Sequence, residues 1–558
     1  MRLSGRIGTR ALVAAVSATT LATGLVAGLA AGPASSTEAR DDSGLTPRTH
    51  FVVQPLNPDG TTAPPPTNGE AIPNIDSDKS TIRRYYNATG GIADKSGSPY
   101  ITELQGIEQA ILAQLPDPAP AEHLAVVFDA DDTTLWTYDM EDAAMHFNFD
   151  PALQGTWVQD QRFPAVPGMP ALVSEIEDRG YDVYGITGRS ASQEPATLGN
   201  LEKVGYDAFD ADNFYTKFDA TTPKPDYLSC HASVDPNDDP DKCTTVEYKA
   251  GTRAHIESTG ETIVLNIGDQ YSDLQGGHAQ HSVKLPNPTY YLPSPNVAGA
   301  PAADSDLALP TEFDMAPDGS SGLTSAGDQI PNIDNVKAEI RAYYGATNGI
   351  ANKDASPYIT QMTNIAKRWK AKLHDICATG VKRKQHPAVV FDADDTTLWT
   401  YDMEDGAMKF NFDPTLQNTW VQEGRFPATP RMPGVVLAAA KAGCKIVGLT
   451  GRNNAQRVAT LDNLAKYYHD ADGNPLFRSA FYFTKWTSSD TPPAYVDCAL
   501  DGNDASCSTI DYKASTRKYV QDELGLHIVA NFGDQFSDLI GGSSDRTVKL
   551  PNPTYYLP

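Results

Sequence analysis

Acidic residues with short spacings mark the places in this sequence where a reaction could be carried out. Asp129, Asp131 and Asp132 follow the apolar run L-A-V-V-F, and Asp269 and Asp273 follow a second apolar run and a glycine. Several carboxylates cannot share one small pocket unless a cation neutralises them. A hard divalent ion prefers oxygen ligands, and Mg²⁺ is the natural ion where phosphate is also bound. These acids therefore predict a metal site.

Two residue types that bind phosphate accompany the acids. Thr187, followed by Gly188 and Arg189, offers a hydroxyl group, and Lys249 offers a positive charge. With a carboxylate nucleophile, a second carboxyl as proton donor and a metal, this set can transfer a phosphoryl group. Lys217, in the string F-Y-T-K, is the alternative phosphate-binding lysine. We prefer Lys249 because it begins a helix-like segment that leads directly to the Gly-Asp pair.

Each of these groups occurs twice in the chain. The string AVVFDADDTTLWTYDMED at 125–142 recurs unchanged at 388–405, and KLPNPTYYLP at 284–293 recurs at 549–558. The string IPNID likewise begins at Ile72 and at Ile330. A period of this length indicates duplication of a whole domain. The counterparts of the candidate residues in the second copy are Asp392, Asp394, Thr450, Gly451, Lys513, Asp534 and Asp538, with Lys485 as the counterpart of Lys217.

The repeats set the predicted domain boundaries. We expect a signal peptide at 1–34 and a flexible linker at 35–70. The first domain, called the first repeat below, is predicted at 71–293. A linker rich in Pro, Ala, Ser, Asp and Gly follows at 294–328. The second domain, the second repeat, is predicted at 329–558.

The elements that position the candidate residues follow from the apolar pattern. Short apolar runs at 124–128, 181–186 and 262–267 each end in polar residues. Helix-like segments at 169–179 and 248–258 separate these runs. Short strands alternating with helices predict a parallel α/β sheet, in which ligands bind beyond the carboxyl ends of the strands. Each repeat also opens with helical patterning, over 82–115 and 340–373.

The first residues of the chain predict export. Arg2, Arg6 and Arg10 precede a run without charge from 11 to 31, and small residues follow it. This layout is typical of a cleaved secretory signal, which predicts a secreted protein without a stable membrane span. An N-terminal membrane anchor is the alternative. It fits less well because the run is rich in Ala, Gly, Thr and Ser rather than Leu, Ile and Phe.

The cysteines agree with export. The chain has six, an even number, and none forms a C-x-x-C pair, so disulfides are predicted rather than a zinc site. Cys230 and Cys243 occupy a loop that matches the loop of Cys498 and Cys507. Each of these pairs is therefore predicted to form a local disulfide. Cys377 and Cys444 occur in the second repeat alone and are predicted to pair with each other.

Length and charge exclude some functions. The 558 residues are too many for one core, and 40% hydrophobic residues argue against wholesale disorder. The formal net charge of −27 speaks against nucleic acid and against an anionic membrane surface as partners. It permits a small phosphorylated substrate, because a local cation can override the global field. The oligomeric state stays open.

Each repeat contains four motifs that resemble, in the same order, the four motifs of the haloacid dehalogenase (HAD) superfamily. They are D-x-D-x-T, a hydrophobic residue with Thr-Gly-Arg, a lysine and G-D-x-x-x-D. The finer pattern is similar to its acid phosphatase branch, of the plant acid phosphatase and vegetative storage protein type. The evidence is Tyr248-Lys249-x-x-x-Arg253 followed by N-I-G-D-Q-Y-S-D-L from Asn266. The resemblance covers about 200 residues of each repeat. It implies a Rossmann-like α/β fold with a small helical cap, drawn in each repeat from the N-terminal helices.

The resemblance also implies roles for individual residues. Asp129 and Asp392 would be nucleophiles, and Asp131 and Asp394 would be the acid/base residues. The implied phosphate-binding residues are Thr187, Gly188, Lys249, Thr450, Gly451 and Lys513. One Mg²⁺ ion per domain would be held by Asp129, Asp131, Asp269 and Asp273, and by Asp392, Asp394, Asp534 and Asp538. The implied activity is that of a phosphomonoesterase working through an aspartyl-phosphate.

Three other functions remain open from the sequence. A 5′-nucleotidase or a phosphotransferase of the same fold would use the same residues. A storage or surface-binding protein would not need them, and storage members of the family have lost the nucleophile, which both repeats keep here. The aromatic residues near the acids, Trp136, Tyr138, Phe147, Phe149 and Trp157, fit a substrate pocket and core packing equally well.

Overall fold

The computed structural model covers both repeats. It describes residues 50–52, 66–230, 242–292, 294, 296–300, 312–314, 330–500 and 507–557. These residues belong to one compact unit, Asp41–Pro558. The predicted signal segment and most of both predicted linkers lie outside the described residues, so those predictions stay untested. Within the part that is described, no helix is both long enough and apolar enough to cross a bilayer.

The first repeat is built on a five-stranded sheet in the order β4-β3-β2-β5-β6, and all neighbouring strands are parallel. The strands up to the end of this repeat are β1 (His50–Val52), β2 (Leu124–Phe128), β3 (Asp182–Ser190), β4 (Phe214–Lys217), β5 (Thr262–Gly268) and β6 (His281–Lys284). The three strands predicted from the apolar runs are confirmed as β2, β3 and β5.

The central strand β2 explains where the acids lie. Its sequence LAVVF is apolar throughout because both faces of the strand are covered, and four of its five residues are buried. β3 and β5 pair with β2 on opposite sides. The carboxyl ends of these three strands therefore meet at one edge of the sheet, which is the ligand-binding edge of such folds.

Seven α-helices accompany the first sheet in the described part of the first repeat. They are α1 (Ile75–Tyr85), α2 (Pro99–Gln114), α3 (Pro151–Gln159), α4 (Met169–Asp178), α5 (Glu194–Lys203), α6 (Thr245–Ser258) and α7 (Tyr271–Leu274). The predicted helix-like segments at 169–179 and 248–258 correspond to α4 and α6. Leu104 and Ile111 of α2 are buried in a hydrophobic core to which both repeats contribute.

The predicted helical pattern over 82–115 was wrong in one respect, because the chain forms two helices separated by a turn. Gly90 and Gly91 adopt positive φ angles of 61° and 80°. At Gly91 a side chain would also collide with the backbone of Ala143, only 2.7 Å from the Cβ position. Ser98 then caps α2, since its side chain accepts from the backbone N–H of Ile101.

The second repeat has the same architecture, with the parallel strand order β10-β9-β8-β11-β12. The remaining strands are β7 (Glu312–Asp314), β8 (Pro387–Phe391), β9 (Lys445–Asn453), β10 (Tyr482–Lys485), β11 (His527–Gly533) and β12 (Thr547–Lys549). The remaining helices are α8 (Ile333–Tyr344), α9 (Pro357–Lys382), α10 (Pro414–Gln422), α11 (Met432–Lys441), α12 (Arg457–Ala465), α13 (Thr509–Asp522) and α14 (Phe536–Leu539). As in the first repeat, the helical pattern predicted over 340–373 is divided between two helices, α8 and α9.

These two sheets confirm the predicted fold class, an α/β protein with two tandem Rossmann-like units. A separate short antiparallel pair joins β1 to β7. The helix α9 is ten residues longer than α2, with 26 residues against 16. The extra length carries Cys377, one of the two cysteines that the first repeat lacks.

All three predicted disulfides are formed in the structure. Cys230 bonds to Cys243, Cys498 to Cys507, and Cys377 to Cys444. No free cysteine occurs in the described part of the chain, which contains all six. The Cys377–Cys444 bond ties the end of α9 to the residue before β9 across a sequence separation of 67 residues.

Removing this long-range bond is expected to destabilise the second repeat. A cross-link of that loop length contributes about 4 kcal/mol by restricting the unfolded chain. The double variant Cys377→Ala/Cys444→Ala should therefore lower a melting transition in differential scanning calorimetry. The matched control is Cys498→Ala/Cys507→Ala, whose cysteines are 9 residues apart and whose loss should cost about 2 kcal/mol less. A larger loss in the control would contradict the loop-length argument.

Candidate active site

The predicted acids of the first repeat come together at the carboxyl edge of the sheet. Asp129 follows β2, and Asp269 follows β5. Asp129, Asp269 and Asp273 are all buried, and each offers a carboxylate oxygen within 4.8 Å of the others. Asp392, Asp534 and Asp538 form the same group in the second repeat. The structure thus brings together three of the four acids predicted for each metal site, whereas Asp131 and Asp394 lie outside these groups.

A buried lysine lies between two of these carboxylates. Lys249, on the first turns of α6, donates from Nζ to Oδ1 of Asp273 at 2.6 Å and to Oδ1 of Asp129. Burial alone would lower the pKa of Lys249, but the ion pairs with Asp129 and Asp273 raise it above its ordinary value. The lysine is therefore a fixed positive charge at the carboxylate that is the candidate nucleophile.

The alternative lysine is placed differently. Lys217 ends β4 and is half-buried. Burial and then the charge of Lys249 lower its pKa. Lys217 thus lies near the site, whereas Lys249 is in direct contact with the acids.

Asp131 is held by Arg189, the last residue of the Thr-Gly-Arg string that follows β3's apolar residues. Arg189 donates from Nη2 to Oδ1 of Asp131 at 2.6 Å and from Nε to both carboxylate oxygens at 3.2 Å. Its Nη1 donates to Oγ1 of Thr197 at 3.1 Å, and the guanidinium is buried. The repeated Thr-Gly-Arg string was the signal that could have revealed this residue, because an arginine is rarely buried unless it is paired.

Replacing Arg189 by lysine is expected to lower kcat/KM of the first repeat about 10–100-fold. Lysine keeps the charge but cannot reproduce the two-pronged hydrogen bonding that orients the Asp131 carboxylate. The measurement is a pH–rate profile of Arg189→Lys in a chain whose second repeat carries Asp392→Asn. Arg162→Lys is the control, because Arg162 pairs with Asp160 at the exposed surface. An unchanged pH profile in Arg189→Lys would show that Arg189 has no part in positioning Asp131.

The phosphate-binding candidates border the same edge. Thr187 is buried in β3, and its Oγ1 accepts from the backbone N–H of Arg189 at 3.2 Å. Gly188 is exposed, and no described atom lies within 4 Å of where its Cβ would be. Gly451 in the second repeat has the same open space. Open space therefore adjoins Gly188, the residue that follows the hydroxyl-bearing Thr187.

Asp269 is fixed from one side by residues that the sequence analysis did not select. Its Oδ2 accepts from Nδ2 of Asn287 and Nε2 of Gln270, both at 2.7 Å, and from the hydroxyl of Tyr290 at 3.1 Å. Its Oδ1 is buried without a hydrogen-bond partner among the described residues. Asn287 and Tyr290 belong to the repeated string KLPNPTYYLP, which was the signal available in the sequence.

The unpartnered Oδ1 atom of Asp269 indicates whether these residues could hold a metal ion. A buried carboxylate oxygen without a donor is costly, whereas it is an ordinary ligand for a divalent cation. Burial, and then Asp273 and Asp132, raise the pKa of Asp269 to about 7. Burial also raises the pKa of Asp129, with contributions from Asp273 and Asp269, against the opposing effect of Lys249. The donor set therefore fits a hard cation such as Mg²⁺, which would relieve the repulsion.

Asp273 has two structural contacts in addition to its place in the acid group. Its Oδ2 accepts from the backbone N–H of Gln270 at 2.8 Å, within a capping box at the start of α7. Its Oδ1 accepts from Lys249. The residue thus caps the short helix and holds the lysine, and its predicted support of the metal remains a prediction.

The second repeat reproduces this geometry. Lys513 donates to Oδ1 of Asp392 at 2.8 Å and to Asp538, and Nη2 of Arg452 donates to Oδ1 of Asp394 at 2.6 Å. The Oδ2 atom of Asp534 accepts at 2.8, 2.8 and 3.1 Å from Asn552, Gln535 and Tyr555. Its Oδ1 differs from that of Asp269, since it accepts from Thr396 at 3.1 Å.

The aromatic residues near the acids divide between core and surface. Trp136, Tyr138 and Phe147 are buried in the hydrophobic core, and Trp157 packs on Phe163. Phe149 is 67% exposed. Core packing therefore explains most of this set.

The acids, the Thr-Gly-Arg string and the lysine follow one another along the chain in the order of the four HAD motifs, and they lie on a parallel sheet. These two features place the protein in the HAD class of Rossmann-like folds. A model of the HAD superfamily, subfamily IIIB (acid phosphatase), matches residues 98–293 and again 319–558. The two matches cover more than half of the chain, which therefore belongs to this family. This confirms the resemblance stated from the sequence motifs.

Individual relatives agree with the family assignment. Acid phosphatase 1 of Solanum lycopersicum is 32% identical over 172 residues, which are 30% of this chain and 58% of that protein. The stem 28 kDa glycoprotein of Glycine max is 31% identical over 146 residues, 26% of this chain and 50% of that protein. Vegetative storage protein 1 of Arabidopsis thaliana is 29% identical over 177 residues, 30% of this chain and 55% of that protein. The chain spans about half the length of the curated relatives it matches.

Among solved structures, the chain is similar to the class C acid phosphatase from Bacillus anthracis. The identity is 20%, and the match covers 39% of this chain and 87% of that one. The TM-score is 0.26.

Proposed function

We propose that the protein is an exported, Mg²⁺-dependent phosphomonoesterase that acts through an aspartyl-phosphate intermediate in each repeat. The observation that carries this proposal is the lysine shared by two buried carboxylates, Lys249 between Asp129 and Asp273, next to the carboxylate of Asp131 held by an arginine. The same contacts recur in the second repeat around Lys513. A storage protein without catalysis has no need of this arrangement twice.

Asp129 and Asp131 carry out the two half-reactions. In the first, a carboxylate oxygen of Asp129 attacks phosphorus, and the bond from phosphorus to the alcohol oxygen breaks. Protonated Asp131 gives its proton to that oxygen, so the product leaves as a neutral alcohol. In the second, Asp131 takes a proton from water, whose oxygen attacks phosphorus. The bond between phosphorus and Asp129 then breaks, and inorganic phosphate leaves. Asp392 and Asp394 do the same in the second repeat.

The remaining residues bind and orient the phosphoryl group. Lys249 and the hydroxyl of Thr187 bind its oxygens, and Gly188 leaves space for them. The Asp129 carboxylate, the Asp131 backbone carbonyl and Asp269 would hold one Mg²⁺ ion in the first repeat, with Asp273 in support. When bound, the ion supplies positive charge that neutralises the phosphoryl oxygens. Asp392, Asp394, Asp534 and Asp538 correspond in the second repeat.

Export and a small substrate complete the proposal. Three disulfides fit an oxidising compartment, and the N-terminal segment has the composition of a secretory signal. The net charge of −27 disfavours nucleic acid polymers, so a small phosphorylated molecule is the substrate. The domain boundaries at 71–293 and 329–558 remain predictions.

A single-turnover experiment tests the mechanism. The full-length mature protein with Mg²⁺ is mixed with less than one equivalent of a ³²P-labelled phosphomonoester and quenched in acid. We expect transient label on the protein that hydroxylamine releases, as for an acyl phosphate, and that maps to peptides containing Asp129 and Asp392. Phosphate release without labelled protein on the millisecond timescale would contradict the covalent intermediate.

The similarity to a vegetative storage protein favours one competing function. A storage protein would release no phosphate from p-nitrophenyl phosphate with Mg²⁺, Mn²⁺ or Zn²⁺. If phosphate is released, comparing nucleoside 5′-monophosphates with sugar phosphates distinguishes a 5′-nucleotidase from a general phosphatase. Transfer of the phosphoryl group to glycerol in place of water would indicate a phosphotransferase.

A further inference from the structure

Two repeated strings contain none of the proposed catalytic or phosphate-binding residues, and the structure brings them together across the repeats. These strings are IPNID, at 72–76 and 330–334, and KLPNPTYYLP, at 284–293 and 549–558, called the tail of each repeat below. Each IPNID string contacts the tail of the opposite repeat. The contacts are hydrogen bonds to backbone groups, so they depend on shape rather than on the tail's side chains.

On the first repeat's tail, the contacts come from the start of α8. The Nδ2 atom of Asn332 donates to the carbonyl oxygens of Asn287 at 3.1 Å and Tyr290 at 2.5 Å. The backbone N–H of Ile333 donates to the carbonyl of Pro288 at 2.9 Å. Asn332 is buried, with 7% of its surface exposed. A buried amide group with both hydrogens used fixes the backbone that it contacts.

The second repeat's tail receives the same contacts from the start of α1. The Nδ2 atom of Asn74 donates to the carbonyls of Asn552 at 3.3 Å and Tyr555 at 2.6 Å. The backbone N–H of Ile75 donates to the carbonyl of Pro553 at 3.0 Å. The exchange of contacts between the two repeats is therefore reciprocal.

The tail residues held in this way also hold the metal-site acid. Asn332 binds the carbonyls of Asn287 and Tyr290, and the side chains of these same two residues donate to Oδ2 of Asp269. In the second repeat, Asn74 binds the carbonyls of Asn552 and Tyr555, whose side chains donate to Asp534. A single tail residue therefore links each asparagine to an acid of the opposite repeat. The backbone carbonyl of that residue accepts from the asparagine, and its side chain donates to the carboxylate.

A second contact reinforces each exchange. Lys337 of α8 donates to the carbonyl of Phe147 in the first repeat, and Lys79 of α1 donates to the carbonyl of Phe410 in the second. Both lysines are buried. The start of each helix therefore has two attachments to the opposite repeat, which keeps the asparagine in register with the tail.

We propose that Asn332 is a positioning residue for Asp269 and that Asn74 is one for Asp534, so that each repeat completes the metal site of the other. Because the amide fixes the tail backbone, the side chains of Asn287 and Tyr290 stay aimed at Oδ2 of Asp269, and Oδ1 stays turned to the metal position. Partners one step from the ligand commonly change metal affinity 10–100-fold. For Asn332, one further step away, we expect about tenfold. The proposal rests on the proposed function for the identity of the ion.

The test uses two full-length single-site proteins. The first keeps the site of the first repeat and carries Asp392→Asn and Asp534→Asn. The second carries Asp129→Asn and Asp269→Asn. Mg²⁺ affinity is measured by isothermal titration calorimetry, and phosphatase activity is measured separately as a function of Mg²⁺ concentration.

Asn332→Ser and Asn74→Ser are the informative variants. Serine keeps a hydrogen-bond acceptor at the start of the helix, in place of the Asn332 Oδ1 that accepts from Asp334 N–H at 3.0 Å. It is too short to donate to both tail carbonyls. We expect Asn332→Ser to weaken Mg²⁺ binding about tenfold in the first single-site protein, with activity recovered at high Mg²⁺. Asn74→Ser should do the same in the second.

The control removes a contact between the repeats that does not reach the tails. Asn148 donates to the carbonyl of Lys409 at 3.2 Å across the repeats and is distant in sequence from both tails. Asn148→Ala should leave Mg²⁺ affinity unchanged in both proteins. The melting temperature of each variant, measured with and without Mg²⁺, shows whether it is folded.

The outcomes separate this proposal from the proposed function. Unchanged Mg²⁺ affinity of the first single-site protein with a folded Asn332→Ser variant overturns the positioning role. An equal loss of Mg²⁺ affinity when Asn332→Ser is placed in each of the two single-site proteins overturns it as well. If neither single-site protein releases phosphate but the crossed effect on Mg²⁺ binding is observed, the positioning role stands and the phosphatase function fails. If both single-site proteins release phosphate but neither asparagine variant changes Mg²⁺ affinity in the opposite repeat, the phosphatase function stands and the positioning role fails.

Discussion

Replacing Asp129 and Asp392 together by asparagine is expected to abolish phosphatase activity, lowering kcat by on the order of 10⁴-fold or more. An amide cannot attack phosphorus, and it also removes a negative charge that would help to hold the metal. Asn has almost the same shape as Asp, so the fold should survive the change. The measurement is release of p-nitrophenol from p-nitrophenyl phosphate with Mg²⁺ by the full-length mature protein.

The single variants report how the two sites share the work. If the sites are equal, Asp129→Asn and Asp392→Asn should each keep about half of the activity. Activity lost in one single variant alone would show that one repeat does the catalysis. Asp160→Asn is the control, because Asp160 is exposed and pairs with Arg162 at the surface. Full activity in the double variant would refute both aspartates as nucleophiles.

Replacing Lys249 by methionine is expected to give the second largest effect, in a chain whose second repeat carries Asp392→Asn. The change leaves Asp129 and Asp273 buried without the cation that lies between them. Loss of one partner from a buried ion pair commonly costs about 3–5 kcal/mol of stability. Loss of a positive charge at the phosphoryl oxygens should lower kcat about 10²–10³-fold. Thermal melting and steady-state kinetics check the two effects separately.

Lys217→Met is the matched control for this lysine. Lys217 carries the same charge near the same site, but it forms no ion pair with the acids among the residues that the structure describes, and β4 places it at the edge of the group. Its replacement should change kcat less than tenfold. A greater loss in Lys217→Met than in Lys249→Met would assign phosphate binding to Lys217. Lys513→Met and Lys485→Met repeat the comparison in the second repeat.

The sequence predicted the parts of the site that depend on local order. Apolar runs followed by acids identified β2 and β5 because a buried parallel strand has few polar residues until it reaches its carboxyl end. The parallel sheet then brings Asp129 and Asp269 together. The helical pattern at 82–115 is divided in the structure because the chain turns at Gly90 and Gly91, whose positive φ angles interrupt the helix.

Residues that act through long-range contacts were not predicted. Arg189 was visible as part of a repeated string, but its pairing with Asp131 depends on how β3 lies beside β2. Asn287 and Tyr290 reach Asp269 through a tail whose shape is fixed by the opposite repeat. No periodicity in the sequence encodes a contact between residues 42 to 45 positions apart that lie in different repeats. The repetition of the strings was the available signal, and it did not specify the partner.

The reciprocal contacts between the repeats have a consequence for behaviour on dilution. Two separate chains with the same contacts would dissociate once their concentration fell below the dissociation constant of the pair. Here one polypeptide carries both halves, so each asparagine meets its tail within one molecule, at an effective concentration that does not fall on dilution. Specific activity per molecule should therefore stay constant down to very low protein concentrations, where a non-covalent dimer of single repeats would lose both of its sites.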